Sequence, residues 1–171
     1  PQKIALTEAQ QELLTPVFES QMPRDEKIRY DISFEAMSPD QAPVVITQNE
    51  FMRRMKEMAA MGGGGMSQFY GQMPDSFTVA VNGNHPIVAG ILADVERSYG
   101  DKLKSTTKKL DAAIAEEKRF DEVVKGKKEE ELTAEEKSTR EELSKKIVTL
   151  RDERNERLRE IGAENELVKQ I

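Results

Sequence analysis

The chain has no cysteine and no tryptophan, a single histidine, and aromatic residues at only 5% of its 171 positions. Without cysteine there is no disulfide framework, no thiol nucleophile and no thiolate zinc site, and His85 alone cannot build a histidine-rich metal centre. A reducing, cytoplasmic setting fits this composition. Long apolar runs are missing as well. The longest are a few residues, far short of the roughly 20 needed to cross a bilayer, and no basic-then-apolar signal peptide opens the chain, so no membrane partner is expected. An excess of positive charge is also lacking. With a net charge of −6 and a pI of about 5.1, the chain does not read as a binder of phosphate backbones, and no nucleic-acid partner is expected. At about 100 to 200 residues per domain, the length allows one domain or one domain with an appendage and excludes a large multi-domain enzyme. The chain opens with Pro1 rather than Met, which reads as an excised piece.

Charged residues are abundant, at 34%, and unevenly placed. Residues 1–85 hold 7 basic and 11 acidic side chains, and residues 86–171 hold 19 and 21, so the second half is more than twice as charge-dense. Six of the seven prolines precede His85 and the seventh, Pro86, follows it, so no proline interrupts a helix beyond that point. This division predicts an α+β module followed by a long helical region.

In the first half, Thr7 and Gln10 have capping-box spacing, and Leu13, Leu14, Val17 and Phe18 continue an apolar helical face. Pro16 either kinks that helix or restarts it after Thr15 as N-cap. Ile28, Tyr30, Ile32 and Phe34 alternate with polar residues, the period of a half-buried strand. Val44, Val45 and Ile46 read as a second strand after a Ser38-Pro39-Asp40 turn. Phe77, Val79 and Val81 read as a third, closed by an Asn82-Gly83-Asn84 turn. The expected fold is a small three-stranded sheet with helices.

In the second half, Tyr99, Leu103, Leu110 and Ile114 recur at helical spacing, as do Leu143, Ile147, Leu150, Leu158 and Ile161. Lys125-Gly126-Lys127 and a capping box of Thr133 and Glu136 separate the two sets. They predict a long antiparallel helical hairpin over about residues 97–163, with arms of about 25 to 30 residues and roughly 40 Å, narrow apolar seams and solvated charged faces.

One segment stands out as functional. Thr47 and Glu50 form a further capping box and Gly62 opens a four-glycine run, which predicts a helix from about 48 to 61. At 100° per residue, Phe51, Met52, Met55, Met58 and Ala59 share one sector, while Arg53, Lys56, Glu57 and Ala60 lie opposite. Such a face ordinarily covers a sheet. Methionine, however, is flexible and polarizable and suits surfaces that adapt to varied partners. The run Gly62 to Gly65, followed by Met66, Phe69, Tyr70 and Met73, supplies a loose tether. Four large apolar anchors represent on the order of 6 to 12 kcal/mol of gross transfer energy. By contrast, His85 before Pro86 reads as a turn or cap residue. The glycine run lacks the Lys-Ser/Thr of a phosphate loop, and the carboxylates fall in helical charge patterns. No catalytic residue, cofactor site or metal site is expected in this chain.

The order of these features resembles the C-terminal, dimerisation domain of the HtpG family, the bacterial 90-kDa heat-shock chaperones. The resemblance rests on Leu13-Leu14-Thr15-Pro16, the alternating strand, the short strand, the Asn49-Glu50-Phe51 helix, the glycine-rich loop and Asn82-Gly83-Asn84-His85-Pro86-Ile87-Val88. The last is similar to the family's Asn-Pro-Asp-His-Pro-Leu/Ile-Val motif, with Gly83 where proline is usual, and residues 1 to about 95 are covered well. The resemblance implies a cytoplasmic homodimer whose N-terminal domain, absent here, binds ATP with Mg and hydrolyses it, and whose partners are unfolded or partly folded client proteins. It places client binding on the amphipathic helix, hence on Phe51, Met55 and Met58, with Ala59 where a larger residue can occur and Met52 or Met61 compensating. It divides the chain into a core of residues 1–96, a charged hairpin insertion of 97–163, and 164–171 as the start of a truncated dimerisation helix. The rival reading is a structural or adaptor module that docks a specific protein through the hairpin.

Overall fold

A computed structural model of the chain describes residues 2–62, 65 and 67–171; Pro1, and Gly63, Gly64 and Met66 of the expected tether, lie outside the described residues. The elements run α1 (Glu8–Glu19), β1 (Ile28–Glu35), β2 (Val44–Gln48), α2 (Glu50–Ala60), α3 (Ser67–Gly71), β3 (Asp75–Asn82), α4 (Pro86–Lys102), α5 (Lys104–Val123), α6 (Ala134–Glu164) and α7 (Glu166–Lys169), with a single 3-10 turn at Glu129–Glu131. The α+β class, the three-stranded sheet and the long antiparallel helix pair are all present.

Helix α1 begins at the expected capping box: Thr7 Oγ1 accepts from Gln10 N, and Gln10 Oε1 accepts from Thr7 N. It runs unbroken through Pro16, which is buried, so the helix is not restarted there. Proline has no N–H to offer the preceding turn, and Thr15 Oγ1 donates to Gln11 O at 2.8 Å beside it.

The sheet has the order β1-β3-β2, with β1 parallel and β2 antiparallel to β3. Register places Ile32 and Ile46 on either side of Val79, and Phe34 and Val44 on either side of Val81. These alternating residues therefore share one face. That face meets Leu14, Val17 and Phe18 of α1 and Val88, Ile91 and Val95 of α4 in the main core. The Phe18 and Phe34 rings meet edge to face at 6.1 Å, and Tyr30 stacks on Phe77 at 5.8 Å.

The turn after β3 ties three strands of chain together. Asn82, fully buried, donates from Nδ2 to Ser38 O. Asn84 accepts from Ala5 N and donates to Lys3 O and Met37 O. His85 caps α4, its Nδ1 accepting from Ile87 N at 3.1 Å, with Pro86 in the first turn. Here the histidine's chemistry is spent on a helix end.

The charged half differs from the expected hairpin at its root. Helix α4 continues to Lys102, and the chain breaks at Leu103, whose side chain is fully buried in the main core. The first arm is therefore the 20-residue α5, about 30 Å, and the second is the 31-residue α6, about 46 Å. Farther out, Leu110 and Ala113 pack on Ile147 and Leu150 as a separate small cluster. At the near end, Leu158 and Ile161 of α6 and Val168 of α7 join Leu103 in the main core. Arg159 donates to Glu19 at 2.8 Å, which fastens α6 to the end of α1. Among the described residues, no helix is long and apolar enough to cross a membrane.

Candidate functional site

The methionine-bearing helix forms where the pattern placed it, with one correction at its start. Thr47 does not cap it, because Thr47 remains in β2 opposite Thr78. Asn49 is the N-cap instead, its side chain accepting from Met52 N at 3.2 Å, while its own N–H donates to Ser76 O and closes the ladder. One residue thus ends the strand and begins the helix. At the other end, Gly62 takes φ +85°, a left-handed conformation that glycine reaches without steric cost and that stops α2.

Helix α2 buries none of its residues, and none of them belongs to the main core. Phe51 and Met58 are each 61% exposed and Met61 is 88% exposed; Met52, Met55 and Ala59 are half-buried. The half-buried set also includes Arg53 and Lys56. On a helical wheel the inward side is therefore turned by roughly 70° from the centre of the apolar sector. On that side Lys56 reaches Asp75 at the start of β3, Nζ to Oδ1 2.8 Å. Phe51 and Met58 are left facing outward.

The polar side is held by Arg53, which donates to Glu50 at 2.9 Å and to Glu57 at 2.5 Å. The hydrogen bond from Arg53, together with its charge, holds the Glu50 carboxyl below its ordinary value, and the same contacts raise Arg53. Glu50 also lies in the first helical turn, where a negative charge is favourable.

Two further exposed apolar residues were not among the expected site residues. Phe69, on the short helix α3 that packs against α2, is 63% exposed and meets Tyr70 edge to face at 5.6 Å. Ile46, on β2, is 56% exposed. The sequence pattern assigns Phe69 to the tether and Ile46 to the second strand. Only the arrangement of elements distinguishes these from ordinary core positions.

Elsewhere, a surface depression of about 740 Å³ runs between the end of α1, β1 and α6, with both signs of charge on its walls, among them Arg24, Asp25, Arg159 and Glu160. Among the described residues, no three acidic or histidine side chains converge as metal ligands would. What the α2 region offers chemically is apolar, polarizable surface.

Over nearly its whole length the chain is similar to chaperone proteins HtpG. It is 34% identical to that of Bacteroides fragilis over 97% of this chain, and 31% identical to those of Porphyromonas gingivalis and Bacteroides thetaiotaomicron over 99% and 94% of it. It spans about a quarter of the length of these curated relatives, 24%, 24% and 23%. The chain belongs to the HtpG chaperones as a segment of them, in accord with their C-terminal domain. No family model matches the chain, and no solved structure matches it.

Proposed function

We propose that this chain is the client-contacting, C-terminal module of an ATP-dependent chaperone, and that it binds non-native proteins through the exposed face of α2. Phe51, Met52, Met55, Met58, Ala59 and Met61 make up the binding surface, joined by Phe69. One observation carries the reading: α2 supplies nothing to the core yet presents Phe51, Met58 and Met61 at 61%, 61% and 88% exposure. A helix that only covered a sheet would turn those residues inward. Methionine and phenylalanine on such a surface fit many apolar sequences because they repack without a fixed shape to match.

In this reading the module performs no chemistry of its own. ATP with Mg serves the N-terminal domain of the parent, which works as a cytoplasmic homodimer. The charged helix pair is an insertion within the C-terminal domain, and residues 164–171 lead toward the dimerisation helices.

Replacing Phe51, Met55 and Met58 by serine tests the assignment. Unchanged cooperative melting with weaker suppression of client aggregation is the expected result. A collapse of melting would make the helix an internal support, and unaltered suppression would move client binding elsewhere.

A further inference from the structure

Strand β2 is the last strand of the sheet, and among the described residues none hydrogen-bonds its outer side. Asn82 N donates to Pro43 O at 2.8 Å and Asn49 N donates to Ser76 O at 3.1 Å. In an antiparallel pair, hydrogen-bonded and non-hydrogen-bonded residues alternate. The register Val45 opposite Ala80 and Thr47 opposite Thr78 therefore gives the main chain of residues 43, 45, 47 and 49 to β3. The N–H and C=O groups of Val44, Ile46 and Gln48 point the other way, and β2 is the last strand of the sheet. Among the described residues, no group bonds them.

Edge strands are ordinarily blunted by charge, proline, a bulge or a covering element. This one is not. From Gln41 to Asn49 there is no charged residue, in a chain that is 34% charged. Pro43 lies on the wrong side to help, since its missing N–H would have faced β3. Four of the five strand residues are exposed. The edge is also apolar on both faces: Ile46 lies on the face of Val79, and Val45, 39% exposed, lies on the face of Ala80. A strand laid against it would find an apolar neighbour above and below. The chain then passes through Asn49 straight to the exposed Phe51.

We propose that the outer edge of β2 accepts an extended, continuously apolar polypeptide segment as a fourth strand, through the main chain of Val44, Ile46 and Gln48. This rests on the client-binding reading and specifies what is bound. Main-chain bonds recognise any extended sequence, while Val45 and Ile46 favour apolar runs of the kind that folded proteins bury. An unfolded chain offers free extended backbone along its length, whereas most of a native protein's backbone is already paired.

Ile46→Pro tests the proposal, because the ring removes an outward N–H and no bond of the β2–β3 ladder. The probe is a short labelled peptide of valine and isoleucine with lysine at each end, titrated by fluorescence anisotropy into the whole chain. Ile46→Pro is expected to weaken binding about tenfold or more with melting unchanged, and the same peptide N-methylated at alternate amides is expected to bind wild type as weakly. Hydrogen exchange on wild type gives a reading that needs no variant to fold. On adding the peptide the amides of Ile46 and Gln48 gain protection, while those of Val45 and Thr47 are protected throughout. Equal affinity of Ile46→Pro, or no added protection at Ile46 and Gln48, overturns the proposal. So does protection that sedimentation traces to a second copy of the chain. If the peptide still binds and serine at Phe51 and Met58 weakens it while Ile46→Pro does not, the edge fails and the client reading stands. No binding to wild type defeats both.

Discussion

Gly162 of α6 lies against Val17 of α1 so closely that a Cβ at residue 162 would stand 2.6 Å from the Val17 carbonyl oxygen and 2.9 Å from its Cα. Two helices far apart in sequence meet there backbone to backbone. The contact brings Leu158 and Ile161 into the core shared with Leu14 and Phe18. The inner end of the second hairpin arm is thus a wall of the α+β unit.

Gly162→Ala is therefore expected to push α6 off α1 and to lower stability by about 1–3 kcal/mol, the usual cost of overpacking, because the obstacle is main chain and cannot rotate away. Thermal melting followed by circular dichroism measures it. Ile147→Ala, in the outer cluster, gives the comparison: its loss of packing is expected to loosen the distal arms more than the main core, which hydrogen exchange separates.

Gly83 poses the same geometric question with a softer neighbour. A Cβ there would meet Ile4 Cγ1 at 2.6 Å and Cδ1 at 2.8 Å. Gly83→Ala is expected to displace the N-terminal segment and cost about 1–3 kcal/mol. Ile4→Ala in the same chain is expected to recover part of that loss. A double-mutant cycle reads the coupling, and strict additivity would show that the two positions do not compete for space.

The Lys56–Asp75 pair ties α2 to the start of β3 while contributing little to global stability. Lys56 is about a quarter exposed and Asp75 about half, so the pair is worth about 0.2–1 kcal/mol. Asp75→Asn is expected to raise amide exchange across α2 while leaving the global melting temperature nearly unchanged, because α2 carries no core residue. A large global loss would contradict the loose attachment described above.

Acidification is expected to loosen the first turn of α2 before the rest of the fold. Arg53 holds the Glu50 carboxyl below its ordinary value near 4.5. A depressed carboxylate adds stability that is fully present above the unfolded-state value and is lost as pH falls through the folded-state value. Residue-resolved exchange or NMR of Met52 and Arg53 between pH 5 and about pH 3 follows it. Glu50→Gln is expected to abolish the acid dependence at this helix end.

Much of the architecture was legible because local chemistry and the fold agree. The alternation from Ile28 to Phe34 survives intact as β1, since one face of that strand is half-buried and a slip by one residue would turn its apolar set to water. The capping boxes at Thr7 and Thr133 formed because their partners lie three residues away and require no tertiary contact. Thr47 met the same rule and did not obey it. Its pairing with Thr78 kept it in the strand, and long-range hydrogen bonds outweighed a local cap. The break at Leu103 was hidden for a similar reason: helical spacing continues across it, and the burial of Leu103 in the main core is a long-range contact that spacing does not reveal.

The candidate site divides the same way. Composition and periodicity by themselves determined a helix from about residue 48 to 61 with methionines gathered on one side, because a 3.6-residue repeat fixes which side chains are neighbours on an isolated helix. They could not determine which side the protein would cover. That was decided in three dimensions, where α2 packs with Lys56 against Asp75, 19 residues away, and with Phe51 and Met58 toward the solvent. Likewise, Val44-Val45-Ile46 announced a strand, but its place at the rim of the sheet follows from the crossover that puts β3 between β1 and β2. A repeat in sequence specifies relations within one element; burial is a relation between elements, and it exists only once they have packed.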